Sequence, residues 1–235
     1  TTNVTSLEGE HARSFGPEQL GSLYVRMQKE HSIAGDQRTN TFLLMPGVRY
    51  SSRQYNNIIR PTKGYYYDLE LRGANKVFGS DTDFIQFLTN GEMMFQLPAR
   101  LTFLSRGRFG TSSIGGATED LPISLRFFAG GSRSIRGYNY QSLGPVDDKG
   151  DVVGGKNLLV MNFELERAIG EDWGVAAFYD TGNAFNNYSN IDFTQGAGLG
   201  VRYYTPIGSM NLDVARQIGV SSPDFKIHFT IGIRI

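Results

Sequence analysis

Apolar and polar residues alternate along most of this chain. A period of two sends successive side chains to opposite faces of a strand. In YYYDLELRG, Tyr65, Tyr67, Leu69 and Leu71 share one face, with Tyr66, Asp68, Glu70 and Arg72 on the other. In NLLVMNFELER, Leu159, Met161, Phe163 and Leu165 oppose Val160, Asn162, Glu164 and Glu166. DWGVAAFYDTG sets Trp173, Val175, Ala177 and Tyr179 against Gly174, Ala176, Phe178, Asp180 and Gly182. The last segment, KIHFTIGIRI, runs Ile227, Phe229, Ile231, Ile233 and Ile235 down one face, opposite Lys226, His228, Thr230, Gly232 and Arg234.

The pattern predicts about eleven strands, near 3–13, 21–31, 41–52, 64–75, 83–96, 99–111, 157–167, 172–182, 195–205, 208–217 and 225–235. Many run roughly 10–12 residues, beyond the ~5–6 usual in soluble sheets and close to the ~9–11 that a tilted strand needs to cross a bilayer. Connections 97–99 and 168–172 are short, whereas 54–64 and 112–156 are long. Short turns at one rim and long loops at the other fit a transmembrane barrel. The only helical element expected is a short turn near GPEQLG (16–21). The expected fold is therefore all-β: an antiparallel transmembrane β-barrel, with 1–235 as a single barrel domain and 112–156 as a loop folded into its lumen. A soluble barrel or sandwich alternates too, but it turns its apolar face inwards and leaves its charges in solvent. Here Arg100, Arg106, Arg108, Glu164, Asp180, Arg202 and Asp213 recur on the polar face among many glycines, as in a polar lumen. No fixed motif recurs at a period of roughly 20–50 residues, which disfavours propellers and solenoids.

Composition narrows the functional classes. Lys plus Arg and Asp plus Glu each total 23 in 235 residues, so no basic excess points to nucleic acid. The absence of cysteine removes disulfides, thiolate metal sites and cysteine nucleophiles. No apolar run approaches the ~20 residues of a membrane-spanning helix, and TTNVTSLEGEHARSFG has neither the basic nor the apolar region of a signal peptide.

One stretch breaks the alternation. RFFAGGSRSIRGYNYQSLGP, Arg126 to Pro145, holds three arginines, four glycines and four aromatics inside the longest connection. Connections of that length are usually functional or disordered. Phe127, Phe128, Ile135, Tyr138, Tyr140 and Leu143 argue for order, because their apolar surface favours burial, and a barrel lumen offers a place to pack. Gly130, Gly131 and Gly137 permit tight turns. Arg136, beside Gly137, is placed to reach a lumenal carboxylate, and Glu164 and Asp180 lie on the lumen-facing rows of the next two strands. Glu166, on the row of Glu164, is a weaker candidate. A guanidinium clamped between carboxylates makes bidentate, charge-assisted bonds suited to a partly desolvated site. A solvated loop tip without a partner is the other placement open to Arg136.

These residues carry a resemblance. FFAGGSRSIRGYNYQSLGP resembles the sixth extracellular loop of the BamA/TamA superfamily of outer-membrane assembly barrels. Its hallmark is a VRGF- or VRGY-type tetrapeptide, here IRGY at Ile135 to Tyr138. VGGKNLLVMNFELE (153–166) is similar to the family's following strand, where a GG element precedes an inward Glu, here Glu164. AAFYDTGNAF (176–185) resembles its F-x-D-x-G strand, with Asp180 as the acid. GAGLGVRYYTPIGSMNLDVA (196–215) matches the next strand pair. The extended RFFAGGSRSIRGY form is closer to the TamA branch, the barrel subunit of the translocation and assembly module.

The resemblance implies a structural latch: Arg136, Gly137 and Tyr138 fold into the lumen and Arg136 pairs with Glu164 and Asp180. Phe127, Phe128, Gly130, Gly131 and Ile135 complete the loop motif. Family barrels have sixteen strands behind POTRA domains, so the chain is expected to be an excerpt without those domains and the first strands. A small barrel closed by short N-terminal strands is the alternative. The implied location is the bacterial outer membrane, with no cofactor. The implied activity is insertion, assembly or translocation of other β-barrel and autotransporter proteins through a weak lateral seam, where a substrate strand adds to a sheet edge. Ile231, Gly232 and Ile233 mark the candidate seam strand. The partners implied are outer-membrane lipid, unfolded outer-membrane or autotransporter substrates, and a TamB-like periplasm-spanning protein.

Two rival classes stand beside this reading. The first is the secretion pore of a two-partner system, which shares the Arg-Gly loop; the FFAGG form and the lack of a plug helix favour assembly. The second is an outer-membrane hydrolase. It would need a triad from His11, His31 or His228, yet none lies near a Ser–Asp pair on adjacent strand positions. No HxxxH or acidic ligand loop indicates a metal, and PVDDKGD (145–151) reads as a solvated turn.

Overall fold

The computed structural model describes residues 2–34 and 37–232. They form one antiparallel sheet of eleven strands, each hydrogen-bonded to its sequence neighbours. The strands are β1 (Thr2–Gly16), β2 (Gln19–Ala34), β3 (Gln37–Tyr55), β4 (Gly64–Ala74), β5 (Phe84–Leu97), β6 (Leu101–Ile114), β7 (Asn157–Ile169), β8 (Trp173–Phe185), β9 (Thr194–Thr205), β10 (Gly208–Ile218) and β11 (Phe225–Gly232). Ile233 of the expected seam strand, with Arg234 and Ile235, lies outside the described residues.

Register turns the alternation into two faces. Arg106 on β6 pairs with Asn162 on β7, Asn162 with Asp180 on β8, and Asp180 with Gly196 on β9, so these positions share the inner face. The outer face carries Ile85, Leu199, Ile227 and Phe229, each more than half exposed. An apolar surface continuing over so many strands is one that a bilayer covers. The inner face is concave around residues 115–156. Ser124 of that connection accepts a bond from Gln28 on β2, while the Gly137 N–H donates to His228 on β11.

The connection packs in two places. Leu121 and Leu125 bury against Leu43 and Met45 of β3, Ala74 of β4 and Phe84 of β5. Phe127, Ala129 and Ile135 bury against Leu158 and Val160 of β7 and Ala184 of β8. With each aliphatic or aromatic side chain worth ~1.5–3 kcal/mol on full burial, the two clusters hold the loop inside the sheet.

Three sequence expectations need correction. No helical turn forms at 16–21; β1 and β2 join through a tight turn, with Gly16 paired to Gln19. The helical turns are short 3-10 segments at Lys76–Phe78, Thr118–Asp120 and Ile123–Leu125. The long connection after β3 was expected opposite the short turns, but it shares their rim with 98–100 and 170–172, because successive connections alternate between rims. It lies there as a strap. Arg60 donates to the carbonyls of Glu171 and Trp173 and to Glu166, with its guanidinium over the Tyr204 ring. Arg100, expected on the lumenal face, sits in the turn before β6 and donates to the Gly170 carbonyl at the same rim.

Candidate functional site

The residues of the Arg-Gly stretch converge on one buried ion network. Arg136 is 2% exposed. Its Nε and Nη2 donate side-on to the two oxygens of Asp180 at 2.8 and 2.9 Å, and its backbone N–H donates to Asp180 Oδ2 at 3.0 Å. Its Nη1 donates to Glu164 at 2.9 Å and to Asp213 at 3.2 Å. The guanidinium lies 3.4 Å from the centroid of the Phe178 ring, a cation–π contact made stronger by desolvation.

A second arginine closes the network. Arg202 donates through Nε and Nη2 to Glu164 at 3.0 and 2.8 Å, and through Nη1 to Asp213 at 2.6 Å. Two guanidiniums thus face three carboxylates, and Arg106 adds a longer contact of 3.9 Å to Glu164. Burial opposes charge on Arg136, but Asp180, Glu164 and Asp213 outweigh it and hold its pKa above the ordinary arginine value.

Local geometry explains why glycine surrounds the network. Gly130, Gly131 and Gly137 have φ of 97°, 102° and 97°, a region that favours glycine. The Gly137 backbone lies against β10: its N–H donates to His228 Nε2, and its carbonyl accepts from Gln217. Gly196, Gly198 and Gly200 form the inner row of β9. A Cβ at Gly196 would stand 2.0 Å from the Arg136 carbonyl oxygen, and one at Gly200 would stand 1.9 Å from Asp213 Oδ1. Their missing side chains leave the space that the loop occupies.

The loop motif divides by role. Phe127 lies under Gly110, which has room only for hydrogen, and its backbone bridges to Gly155. Phe128 covers Gly154. Ile135 is fully buried, and Ser134 accepts from the Gly130 N–H while its carbonyl accepts from Asn162. Tyr138 packs beside the second core cluster with its hydroxyl buried and without a partner among the described residues. Ile231 faces outward on β11, and Gly232 pairs with Ser209. Glu166 joins Arg60 and Tyr204 at the rim instead of Arg136. The histidines are dispersed: His11 pairs opposite Leu23, His31 bonds Asn40, and His228 holds the loop.

Arg202, Asp213 and Phe178 were not assigned to the latch from sequence. Arg202 and Asp213 were readable as inner-face charges, but joining them to Glu164 needs the pairing of Gly200 with Asp213 across β9 and β10. The signal that could have found them is the row of inward glycines ending in Arg202, which leaves volume for a long side chain from elsewhere.

An apolar outer face, a charged inner face and a long loop ion-paired inside define a transmembrane β-barrel braced from within. Its particular family is equally plain. Residues 8–235 match the Omp85 superfamily domain, and the chain belongs to that superfamily of outer-membrane β-barrel proteins. The outer membrane protein assembly factor BamA of Nitratidesulfovibrio vulgaris is 28% identical over 170 residues, covering 69% of this chain and 21% of that protein. The sorting and assembly machinery component 50 homolog of Mus musculus is 26% identical over 266 residues, covering 100% and 52%. The chain therefore spans between about a fifth and about half of these relatives. The crystal structure of BamA from Haemophilus ducreyi lacking POTRA domains 1–3 superposes with a TM-score of 0.82 at 17% identity, covering 99% of this chain and 54% of that one. CdiB from Acinetobacter baumannii superposes with a TM-score of 0.64 at 16% identity, covering 99% and 42%.

Proposed function

We propose that the protein containing this chain assists insertion and assembly of other β-barrel proteins, autotransporters among them, in the outer membrane. The observation that carries this reading is the match of residues 8–235 to the Omp85 superfamily, whose relatives here include an assembly factor and a sorting-and-assembly component. Arg136, Gly137, Tyr138, Glu164 and Asp180 act as a structural latch, supplemented by Arg202 and Asp213. The latch ties the loop directly to β7, β8 and β10, draws in β9 through Arg202 on Glu164 and Asp213, and reaches β11 through Gly137 and His228. It braces the strands beside the candidate seam at Ile231 and Gly232, where an incoming strand adds by backbone hydrogen bonding. The short-turn rim carrying the strap faces the periplasm, and a TamB-like partner docks from that side.

The test reconstitutes the full-length protein into lipid vesicles and follows the folding rate of an unfolded outer-membrane β-barrel by its heat-modifiable gel mobility. Faster folding than in empty vesicles is expected, with the gain reduced by Arg136→Ala. Transfer of an unfolded client across the vesicle wall, without insertion into it, would overturn the assembly reading in favour of the secretion pore.

A further inference from the structure

Above the strap and beside the latch, the inner face lines an open cavity of about 570 Å³. Arg106, Arg108 and Arg133 line it, and the latch does not account for them. Every carboxylate nearby accepts hydrogen bonds, Asp68 from neutral donors. Asp68 accepts from Tyr66 and Asn90, Glu92 from Tyr55, Glu166 from Arg60 and Tyr204, and Glu164 and Asp213 hold the latch arginines. Among the described residues the three cavity arginines, by contrast, share one side-chain hydrogen bond, from Arg108 Nε to Asn90, and the 3.9 Å contact of Arg106 with Glu164. Arg106, Arg108 and the exposed Arg133 face the same space, and Asp68 reaches Arg108 only through Asn90.

Two further groups specify what fits there. The Arg106 Nε–H donor and the Asn211 Oδ1 acceptor are buried without partners among the described residues, and both residues line the cavity. A fully deprotonated oxyanion such as sulfate satisfies the donor but offers nothing to Asn211. A polypeptide satisfies both, because its backbone carries N–H and C=O groups together. Spacing gives the third constraint. Arg106 and Arg108 are successive inward residues of β6, about 7 Å apart along the strand. Same-face side chains of an extended peptide repeat at that distance too.

We infer that this cavity binds an extended acidic peptide segment, with carboxylates at alternate positions meeting Arg106 and Arg108 and with Arg133 closing over it from the loop. The choice of a polypeptide rests on the proposed function; the preference for carboxylates rests on the arginines themselves.

The experiment measures fluorescence anisotropy of a labelled decapeptide with aspartate at alternate positions, titrated with the full-length protein in detergent at low ionic strength. Saturable binding is expected, weakened about tenfold or more by Arg108→Gln with Arg133→Gln, each change removing a charge-assisted contact. Arg100→Gln, at the rim turn, leaves binding unchanged. Heat-modifiable mobility confirms that each variant is folded. Equal affinity for the asparagine version of the peptide, full retention in the double variant, or displacement by inorganic phosphate as readily as by unlabelled peptide would overturn the assignment. Peptide binding requires no insertion activity. A chain that binds but does not insert clients leaves this inference standing, and one that inserts clients without binding leaves the proposed function standing.

Discussion

Replacing Arg136 by alanine tests whether the loop is held by charge. Asp180 is 0% exposed, and its two side-chain partners are Arg136 Nε and Nη2. Without them it keeps, among the described residues, the N–H of residue 136, while Glu164 and Asp213 keep Arg202. The loss therefore concentrates on one carboxylate shut off from bulk solvent, and breaking such a buried pair costs ~3–5 kcal/mol. Arg136→Lys keeps the charge, but a single ammonium cannot bond Asp180 side-on and reach Glu164 and Asp213 as well. It should cost about half as much. Adding Asp180→Asn to Arg136→Ala removes the stranded charge, so the double variant should be more stable than the two single losses sum to, by ~1–3 kcal/mol. The chain contains one tryptophan, Trp173 on β8, whose fluorescence follows urea unfolding in detergent. Proteolysis within 115–156 gives a second readout. Arg136→Ala within ~0.5 kcal/mol of the parent, with losses that add in the double variant, would refute the latch.

Three further outcomes follow from the geometry. Gly196→Ala places a methyl group against the Arg136 carbonyl and should destabilise by ~1–3 kcal/mol on the same unfolding curves, whereas Gly91→Ala, with its nearest atom 3.9 Å away, should change little. Leu199→Arg, on the outer face, should cost ~2–4 kcal/mol near the bilayer midplane and slow the protein's own folding into vesicles; a soluble sheet would tolerate it. Arg60→Ala should raise protease cleavage within 56–63 while leaving 115–156 protected, because its bonds end on the rim at Glu166, Glu171 and Trp173.

The strands were legible because alternation is a local property that continues for ten or more residues at a time. Their inner rows were legible for the same reason, which is how Arg106, Glu164, Asp180, Arg202 and Asp213 could be placed on one face from sequence. What parity does not contain is the pairing between strands. Arg202 reaches Glu164 across β8 and Asp213 on the adjoining strand, and both contacts depend on register. The strap failed for a different reason. Loop length is no indicator of rim, which follows from counting strands. The connection after β3 shares its side with those after β5 and β7 whatever its length.

The network also constrains the sheet that carries it. Glu164, Asp180, Arg202 and Asp213 come from four adjacent strands, and a single guanidinium from the loop touches three of them. A slip of one residue in any pairing would send that strand's charge to the outer face and an apolar side chain inwards. At Asp180 the penalty would be double, because Arg136 would stay buried without its side-on partner while a carboxylate entered lipid. Hydrophobic alternation alone penalises a slip only through displaced apolar area. The ion network adds a penalty that depends on all four strands being correct together. Glycines at 196, 198 and 200 sharpen it, since a slip would bring the side chains of Ala197, Leu199 and Val201 into the space that the Arg136 backbone and the Asp213 carboxylate occupy. A loop far from the turns that set each hairpin thereby acts as a register lock on the last part of the sheet, the part that borders the candidate seam.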